Sequence, residues 1–134
     1  WDTEGRMNGL HLIVDMYRCA GMTAALTERD ALETLCVAQC REAGLTPVGS
    51  YFHQFVDERG EAAGVTGTVV RAEAHLAIHT WPESGAVTLD VYVCNFSRDN
   101  SDRARVVYRA VIDALQPAET VEHEVVRGSL PRDD

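Results

Sequence analysis

The chain contains no lysine, and all twelve of its basic residues are arginine. Enzymes that bind pyridoxal phosphate or a carbonyl substrate through a lysine amine are therefore excluded. Any imine chemistry in this protein must use a carbonyl group that the protein or the substrate supplies.

Other features that would define a protein class are also missing from the 134 residues. No apolar run approaches the ~20 residues of a membrane span. The N-terminus lacks the basic and apolar regions of a secretory signal, and it begins at Trp1 rather than Met, as a trimmed or tagged protein would. We therefore expect a cytoplasmic protein without a membrane partner. The net charge of -9 disfavours nucleic acid, whose phosphates require a basic surface, and fits a small cationic substrate better.

The four cysteines lack the CxxC spacing that marks many zinc sites. Cys36 and Cys40 are four residues apart on a predicted helix, and we expect both to pack as small apolar side chains. No metal site is predicted. Cys94 differs from the others because it ends an alternating strand.

Hydrophobic periodicity predicts one α/β domain over residues 1–134, of the α+β kind, with its core at about residues 8–127. The hydrophobic content of 46% is sufficient for such a core. A first helix is predicted from an N-cap at Thr27 to a stop at Gly44, a second covers 101–115, and the tail after 127 is expected to be loose. Strands are predicted at 12–17, 48–56, 66–71, 75–81, 87–94 and 120–127. Because each helix has one apolar face, we expect a two-layer sandwich, a mostly antiparallel sheet with both helices on one side.

Alternation within strand 75–81 places two histidines, His75 and His79, on the same face of the sheet. Taken alone, both would be solvent-facing or structural histidines. A metal site here lacks a third ligand at a clear spacing.

The most informative motif is residues 73–83, which read Glu-Ala-His-Leu-Ala-Ile-His-Thr-Trp-Pro-Glu. The chain resembles the bacterial S-adenosylmethionine decarboxylases, whose self-cleavage segment carries a serine where this sequence has Ala74. Matching segments at 11–12, 52–55, 64–67 and 90–94 follow in family order, so the resemblance covers about residues 8–127.

In that family the serine hydroxyl attacks the carbonyl of the preceding glutamate, and cleavage of the resulting ester leaves a pyruvoyl group. Its ketone forms a Schiff base with the substrate amine and takes up the electrons released on decarboxylation. Ala74 has no hydroxyl and cannot act as this nucleophile. The resemblance therefore implies a decarboxylase of spermidine biosynthesis that stays an uncleaved, inactive proenzyme without its pyruvoyl cofactor.

The resemblance also assigns roles around the cleavage bond between Glu73 and Ala74. It implies that Thr66 takes the place of a hydroxyl residue used in processing, although alone it would be an ordinary strand threonine beside glycines. His79 would assist ester elimination and later contact the substrate. Cys94 would protonate the substrate carbon after decarboxylation, a general-acid role open to a thiol. We expect a tight turn at the cleavage bond to hold it in an unfavourable geometry.

For substrate binding, the resemblance implies that Phe55 stacks on the adenine and Glu83 binds the ribose hydroxyls. By sequence alone, Phe55 would be a core aromatic residue and Glu83 a turn carboxylate. The family forms homodimers that share their active sites between two chains. Alternative substrates are ornithine or arginine, because pyruvoyl-dependent decarboxylases of this fold act on both.

A non-enzymatic alternative is a regulatory paralogue that binds S-adenosylmethionine and has lost catalysis. Ala74 is then either a natural loss or an engineered substitution that traps the precursor. The retained Thr66, His79 and Cys94 favour the engineered substitution, because a long-inactive site would be free to lose them.

Overall fold

The computed structural model describes residues 6–95 and 98–131, which form one antiparallel sheet with helices against one face. The strands pair in the order β2-β3-β4-β5-β1-β6, and every pairing is antiparallel. The predicted α+β sandwich is therefore confirmed. The elements in chain order are β1 (Arg6–Cys19), α1 (Ala24–Thr27), α2 (Arg29–Glu42), β2 (Gly49–Val56), β3 (Ala62–Arg71), β4 (Ala74–Trp81), a 3-10 turn (Pro82–Ser84), β5 (Ala86–Cys94), α3 (Ser101–Leu115) and β6 (Pro117–Pro131).

One face of the sheet carries the hydrophobic core. In β4 and β5, buried residues alternate with half-buried ones, as the period of two predicts. Both long helices bury one apolar stripe against this face. Each fully buried Leu or Val contributes about 1.5–3 kcal/mol relative to its exposed state. The buried set includes Leu10, Leu12, Val14, Met16, Leu32, Leu35, Val65, Val69, Leu76, Ile78, Val87, Leu89, Val91, Val93, Val107, Val111 and Leu115.

The other face of the sheet, called the open face below, has no helix over it in the part of the chain that the structure describes. It carries both motif histidines, as the alternation predicted, together with aromatic and β-branched side chains that are exposed or half-buried. Its members are His11, Ile13 and Tyr17 of β1, Tyr51, His53 and Phe55 of β2, Thr66, Thr68 and Val70 of β3, His75, Ala77, His79 and Trp81 of β4, Thr88, Asp90, Tyr92 and Cys94 of β5, and Val121, His123 and Val125 of β6.

The start of the first long helix differs from the prediction. Thr27 ends the short α1, and the N-cap position of α2 is Glu28, which makes no capping hydrogen bond through its side chain. Instead, the Arg29 backbone N–H donates to Oε1 of Gln54 at 2.7 Å, so a β2 side chain satisfies it. The predicted stop is confirmed, because Gly44 has a positive φ of 82° and the Leu45 N–H donates to the Cys40 carbonyl.

The last strand is longer than predicted. It runs to Pro131, so the part of the expected loose tail up to that residue is strand, and positions 132–134 lie outside the described residues. Cross-strand pairing with β1, from Cys19–Pro117 to Arg6–Pro131, holds this edge strand in place. Its charge-rich sequence shows little of the apolar alternation that identifies strands. Among the described helices, none is long and apolar enough to cross a bilayer.

Candidate active site

The bond between residues 73 and 74 lies at a two-residue hairpin turn. Arg71 ends β3 and pairs with Ala74, the first residue of β4, so Ala72 and Glu73 form the turn. Glu73 has a φ of 68°, in the left-handed region that costs a non-glycine residue about 1–2 kcal/mol. The predicted turn is therefore present, one residue earlier than expected, and its strained residue provides the carbonyl of the 73/74 bond.

This carbonyl is held by a main-chain donor from the neighbouring strand. The backbone N–H of Cys94 donates to the Glu73 oxygen at 2.6 Å. Such a donor polarises the carbonyl and would stabilise negative charge that develops on its oxygen. Sequence reasoning missed this role of Cys94, because a backbone N–H leaves no signal in residue type. Only the register that pairs Ala74 with Val93 reveals it.

The side chain at position 74 points toward the helices. Ala74 is partly buried and packs against the hydrophobic core. A small cavity of about 20 Å³ adjoins it, lined in part by Leu45, Val91 and Val107. This volume is sufficient for roughly one water-sized group. A serine hydroxyl at position 74 would therefore have room beside the carbonyl that it must attack.

The structure brings together Thr66 and His79 from neighbouring strands. The two residues are direct partners between β3 and β4, and Oγ1 of Thr66 lies 3.0 Å from Nδ1 of His79. Both side chains are half-buried on the open face, and the Trp81 ring lies beside the imidazole with a centroid separation of 6.3 Å. A hydroxyl on one ring nitrogen fixes the orientation of the imidazole and leaves the other nitrogen for proton transfer.

His79 does not meet the 73/74 bond of its own chain. It lies five residues from Ala74 along β4, which is about 16 Å at about 3.3 Å per residue. An odd separation also places the two side chains on opposite faces of the strand. The candidate site is thus divided into two ends. Glu73, Ala74 and Cys94 form the cleavage end, and Thr66 and His79 form the centre of the histidine end.

The two residues assigned to substrate binding lie at the histidine end. Phe55 pairs with Gly64 near the end of β4, and Glu83 is exposed in the 3-10 turn that follows Trp81. The turn position of Glu83 is as the sequence predicted. The interpretation of Phe55 as a core aromatic is wrong for this chain, because the residue is 50% exposed on the open face. Among the aromatic side chains of the described residues, only that of His53 contacts the Phe55 ring, in an edge-on arrangement.

A polar cluster that the sequence analysis did not find lies on the open face next to the cleavage end. Nε2 of His11 is 2.8 Å from Oδ2 of Asp90, and Nε2 of His75 is 3.6 Å from the same oxygen. The Arg127 guanidinium donates to Nδ1 of His11 at 3.2 Å. Since arginine can only donate, Nδ1 accepts, and Nε2 of His11 carries the proton that it donates to Asp90. The members come from four strands, so no sequence spacing could have indicated the cluster.

The four cysteines are free thiols in two different environments. Cys36 and Cys40 are buried in the core, which confirms the prediction that they pack as apolar residues. Burial raises the pKa of the Cys40 thiol to about 11 and that of Cys36 further. Cys19 is also buried, and burial raises its pKa as well. Cys94 is only half-buried, which makes it the accessible thiol of the four.

The architecture defines the class of protein first. The chain superposes on the crystal structure of the adenosylmethionine decarboxylase from Aquifex aeolicus with a TM-score of 0.79 and 28% identity, covering 96% of this chain and 97% of that one. The family model for S-adenosylmethionine decarboxylase matches residues 10–128. The chain belongs to the S-adenosylmethionine decarboxylase family.

Particular relatives agree with this assignment over nearly the whole chain. The S-adenosylmethionine decarboxylase proenzyme of Picrophilus torridus is 35% identical over 94% of this chain and 88% of its own length. The proenzyme of Thermoplasma acidophilum is 33% identical over 91% of this chain and 85% of its own length. Both organisms are archaeal, so the similarity is not confined to the bacterial members whose motif the sequence resembles.

Proposed function

We propose that this chain is the uncleaved proenzyme of a pyruvoyl-dependent S-adenosylmethionine decarboxylase of spermidine biosynthesis, held inactive by Ala74. One observation carries the proposal: the 73/74 bond lies at a strained turn with its carbonyl bound by the Cys94 N–H, yet position 74 has no hydroxyl. The residues present therefore do not fit a pyruvoyl cofactor, because the methyl group of alanine cannot supply the ester oxygen.

The geometry indicates how a serine at position 74 would be used. Its oxygen would bond to the Glu73 carbonyl carbon, the peptide C–N bond would break as the acyl group moves to the oxygen, and the hydroxyl proton would pass to the released nitrogen of residue 74. Negative charge on the carbonyl oxygen during this transfer would be stabilised by the Cys94 N–H at 2.6 Å. Release of the left-handed φ of Glu73 would lower the energy of the cleaved state relative to the intact turn.

The division of the site supports a homodimer as the working form. Thr66 and His79 can act on a 73/74 bond only if that bond belongs to another chain, because the bond of their own chain lies about 16 Å away along β4. A two-fold axis across two packed open faces would pair each histidine end with the cleavage end of the partner. Large apolar side chains exposed on that face also favour an interface, namely Tyr17, Tyr51, Phe55, Val70, Trp81, Val121 and Val125.

We infer S-adenosylmethionine as the substrate from the family and from the groups at the histidine end. Phe55 offers an exposed ring on which an adenine could stack, and Glu83 offers a carboxylate for ribose hydroxyls. The four free thiols fit a reducing compartment, so we expect the protein to act in the cytoplasm. Ornithine and arginine are the alternative substrates. Neither contains an adenine that could stack on Phe55.

The test is the intact mass of the Ala74→Ser protein after purification, compared with the chain as it stands. We expect two fragments, residues 1–73 and 74–134, with a blocked pyruvoyl end on the second. Ala74→Gly serves as the matched control, because it changes the same residue without adding a hydroxyl and should stay intact. A single uncleaved mass for Ala74→Ser would overturn the proposal and favour the regulatory paralogue.

Cleaved Ala74→Ser protein also decides the substrate. Carbon dioxide release from S-adenosylmethionine, ornithine and arginine is measured in parallel, and we expect release only from S-adenosylmethionine. Phe55→Ala should raise KM for S-adenosylmethionine by about fivefold or more, since stacking on a base contributes about 1–3 kcal/mol. Release from ornithine or arginine alone would contradict the assignment of the substrate while leaving the self-cleavage proposal intact.

A further inference from the structure

The ring of Tyr92 packs against the polar cluster on the open face. His11 contacts it edge-on at a centroid separation of 5.8 Å, and His75, whose ring lies 6.4 Å from that of His11, contacts it at 5.6 Å. The Arg127 guanidinium lies 4.9 Å from the ring centroid. Asp90 lies within 3.6 Å of a nitrogen of each imidazole. Contacts from β1, β4 and β6 therefore restrict the orientation of the ring, and this orientation determines the direction in which its hydroxyl points.

That direction leads to Cys94. A Cβ atom on Gly9 would lie 2.6 Å from Oη of Tyr92, so the hydroxyl occupies the space that the missing side chain leaves. Gly9 is the direct cross-strand partner of Cys94, and Tyr92 and Cys94 are two residues apart on the same face of β5. The phenol oxygen therefore lies beside the Cys94 side chain. Burial first, and then this contact with Cys94, raises the pKa of Tyr92, so the phenol keeps its proton.

We propose that Tyr92 is a positioning residue for Cys94: it orients the sulfur and stabilises the thiolate left after proton donation. The inference rests on the proposed role of Cys94 as the proton donor. In that step the S–H bond breaks, a C–H bond forms on the substrate, and the electron pair stays on sulfur. The Tyr92 O–H then donates a hydrogen bond to the thiolate and retains its own proton.

The test uses the chain with Ala74, so it does not depend on cleavage or on decarboxylation. Iodoacetamide reacts with thiolates, and under native conditions it should label Cys94, because the other three cysteines are buried. The rate of labelling at Cys94 is measured against pH by peptide mass. Tyr92→Phe keeps the ring and its contacts but removes the hydroxyl. We expect its profile to shift to higher pH by about one unit, since a hydrogen bond to a charged acceptor is lost.

Tyr17→Phe is the matched control, because Tyr17 lies on the same face at the opposite end of β1 and should leave the profile unchanged. Gly9→Ala provides a second variant, since its methyl group would displace the hydroxyl and should shift the profile in the same direction as Tyr92→Phe. A third measurement is the absorbance titration of tyrosine, in which Cys94→Ala should make Tyr92 ionise at lower pH. Coincident labelling profiles for the parent and Tyr92→Phe would overturn the inference, as would an equal shift in Tyr17→Phe.

The labelling test of Tyr92 and the cleavage test of the proposed function can fail independently of each other. If Ala74→Ser is cleaved but Tyr92→Phe labels as the parent does, only the positioning role fails. In cleaved protein, the same substitution should lower kcat by about tenfold with little change in KM, because the contact acts on proton donation rather than on binding. A change confined to KM would contradict a role in proton donation.

Discussion

Gly67 allows β2 and β3 to pair beside a buried aromatic ring. A Cβ atom at this position would lie 2.1 Å from Cδ2 of Phe52, which is 5% exposed. Gly67→Ala should therefore lower the free energy of unfolding by about 1–3 kcal/mol, because the ring must leave its rotamer or the strands must separate. Urea unfolding followed by circular dichroism measures this change.

Gly49 at the start of β2 is the matched control for this substitution. A Cβ atom there meets nothing within 4 Å, so Gly49→Ala should change the free energy of unfolding by no more than about 0.5 kcal/mol. Similar losses for both variants would mean that the cost comes from backbone conformation rather than from the Phe52 ring.

For single residues, the sequence indicates which side chains take part in the chemistry better than it indicates where they lie relative to one another. The motif singled out Thr66 and His79, and the structure brings them within 3.0 Å of each other. It could not indicate that Cys94 contributes a backbone N–H, since every residue except proline has one. Nor could it separate the two ends of the site, because the distance between Ala74 and His79 follows only once both residues are known to lie on one paired strand.

Between elements, Thr80 ties β4 to β3 and to the helical layer. Its hydroxyl accepts from the Val65 N–H at 2.9 Å and donates to the Leu26 carbonyl, and the residue is 7% exposed. Thr80→Val keeps the shape of the side chain but leaves a buried N–H and a buried carbonyl without this partner. We expect a loss of at least about 2 kcal/mol in the free energy of unfolding. Thr88→Val on the open face is the control and should cost less than half as much.

The contact between α3 and β6 should make stability depend on pH. Oη of Tyr108 donates to Oε1 of Glu122 at 2.7 Å, and this hydrogen bond, ahead of the bond from Thr120 and the charge of Arg109, lowers the pKa of Glu122. A carboxyl whose pKa is lowered by folding adds stability above its unfolded pKa and loses it as pH falls through the folded value. Tyr108→Phe should cost about 0.5–1 kcal/mol at pH 7, a modest figure because the carboxylate is partly exposed.

The difference between Tyr108→Phe and the parent should shrink as pH falls below about 4, where the unfolded glutamate becomes protonated. Thermal unfolding at pH 7 and at acid pH measures both values. A difference that stays constant over this range would show that the loss comes from packing of the phenol rather than from its bond to Glu122.

Elements with strong periodicity were predicted closely, and those that depend on tertiary contacts were not. The range 101–115 matches α3 because its apolar stripe and Pro117 mark both ends. Thr27 was expected to cap α2, but Gln54 from β2 satisfies the first N–H instead, and local sequence cannot show a partner 25 residues away. The length of β6 likewise follows from pairing with β1 rather than from its own sequence.

For the whole molecule, the divided site predicts complementation between two defective chains. One chain carries Ala74→Ser and His79→Ala, and the other is the present chain, which has Ala74 but an intact His79. When both are coexpressed, we expect cleavage of the serine-bearing chain, because the partner supplies the histidine end. Intact mass spectrometry distinguishes the chains if one of them carries a short tag.

The serine-bearing chain expressed alone should remain uncleaved in this experiment. The matched control is a present chain that also carries His79→Ala, which should not support cleavage. If the mixture shows no cleavage although Ala74→Ser alone is cleaved, the site is not shared between chains. The homodimer proposal would then have to be abandoned in favour of a rearrangement within one protomer.

Cys94 contributes its backbone N–H to the Glu73 carbonyl and, on the proposed mechanism, its thiol to the substrate. These contributions are genetically separable, because nineteen of the twenty amino acids retain the N–H and only one carries a thiol. A substitution of Cys94 by any residue other than proline would therefore remove decarboxylation while leaving self-cleavage intact. A lineage could in this way retain a self-cleaving protein long after it had ceased to be a decarboxylase.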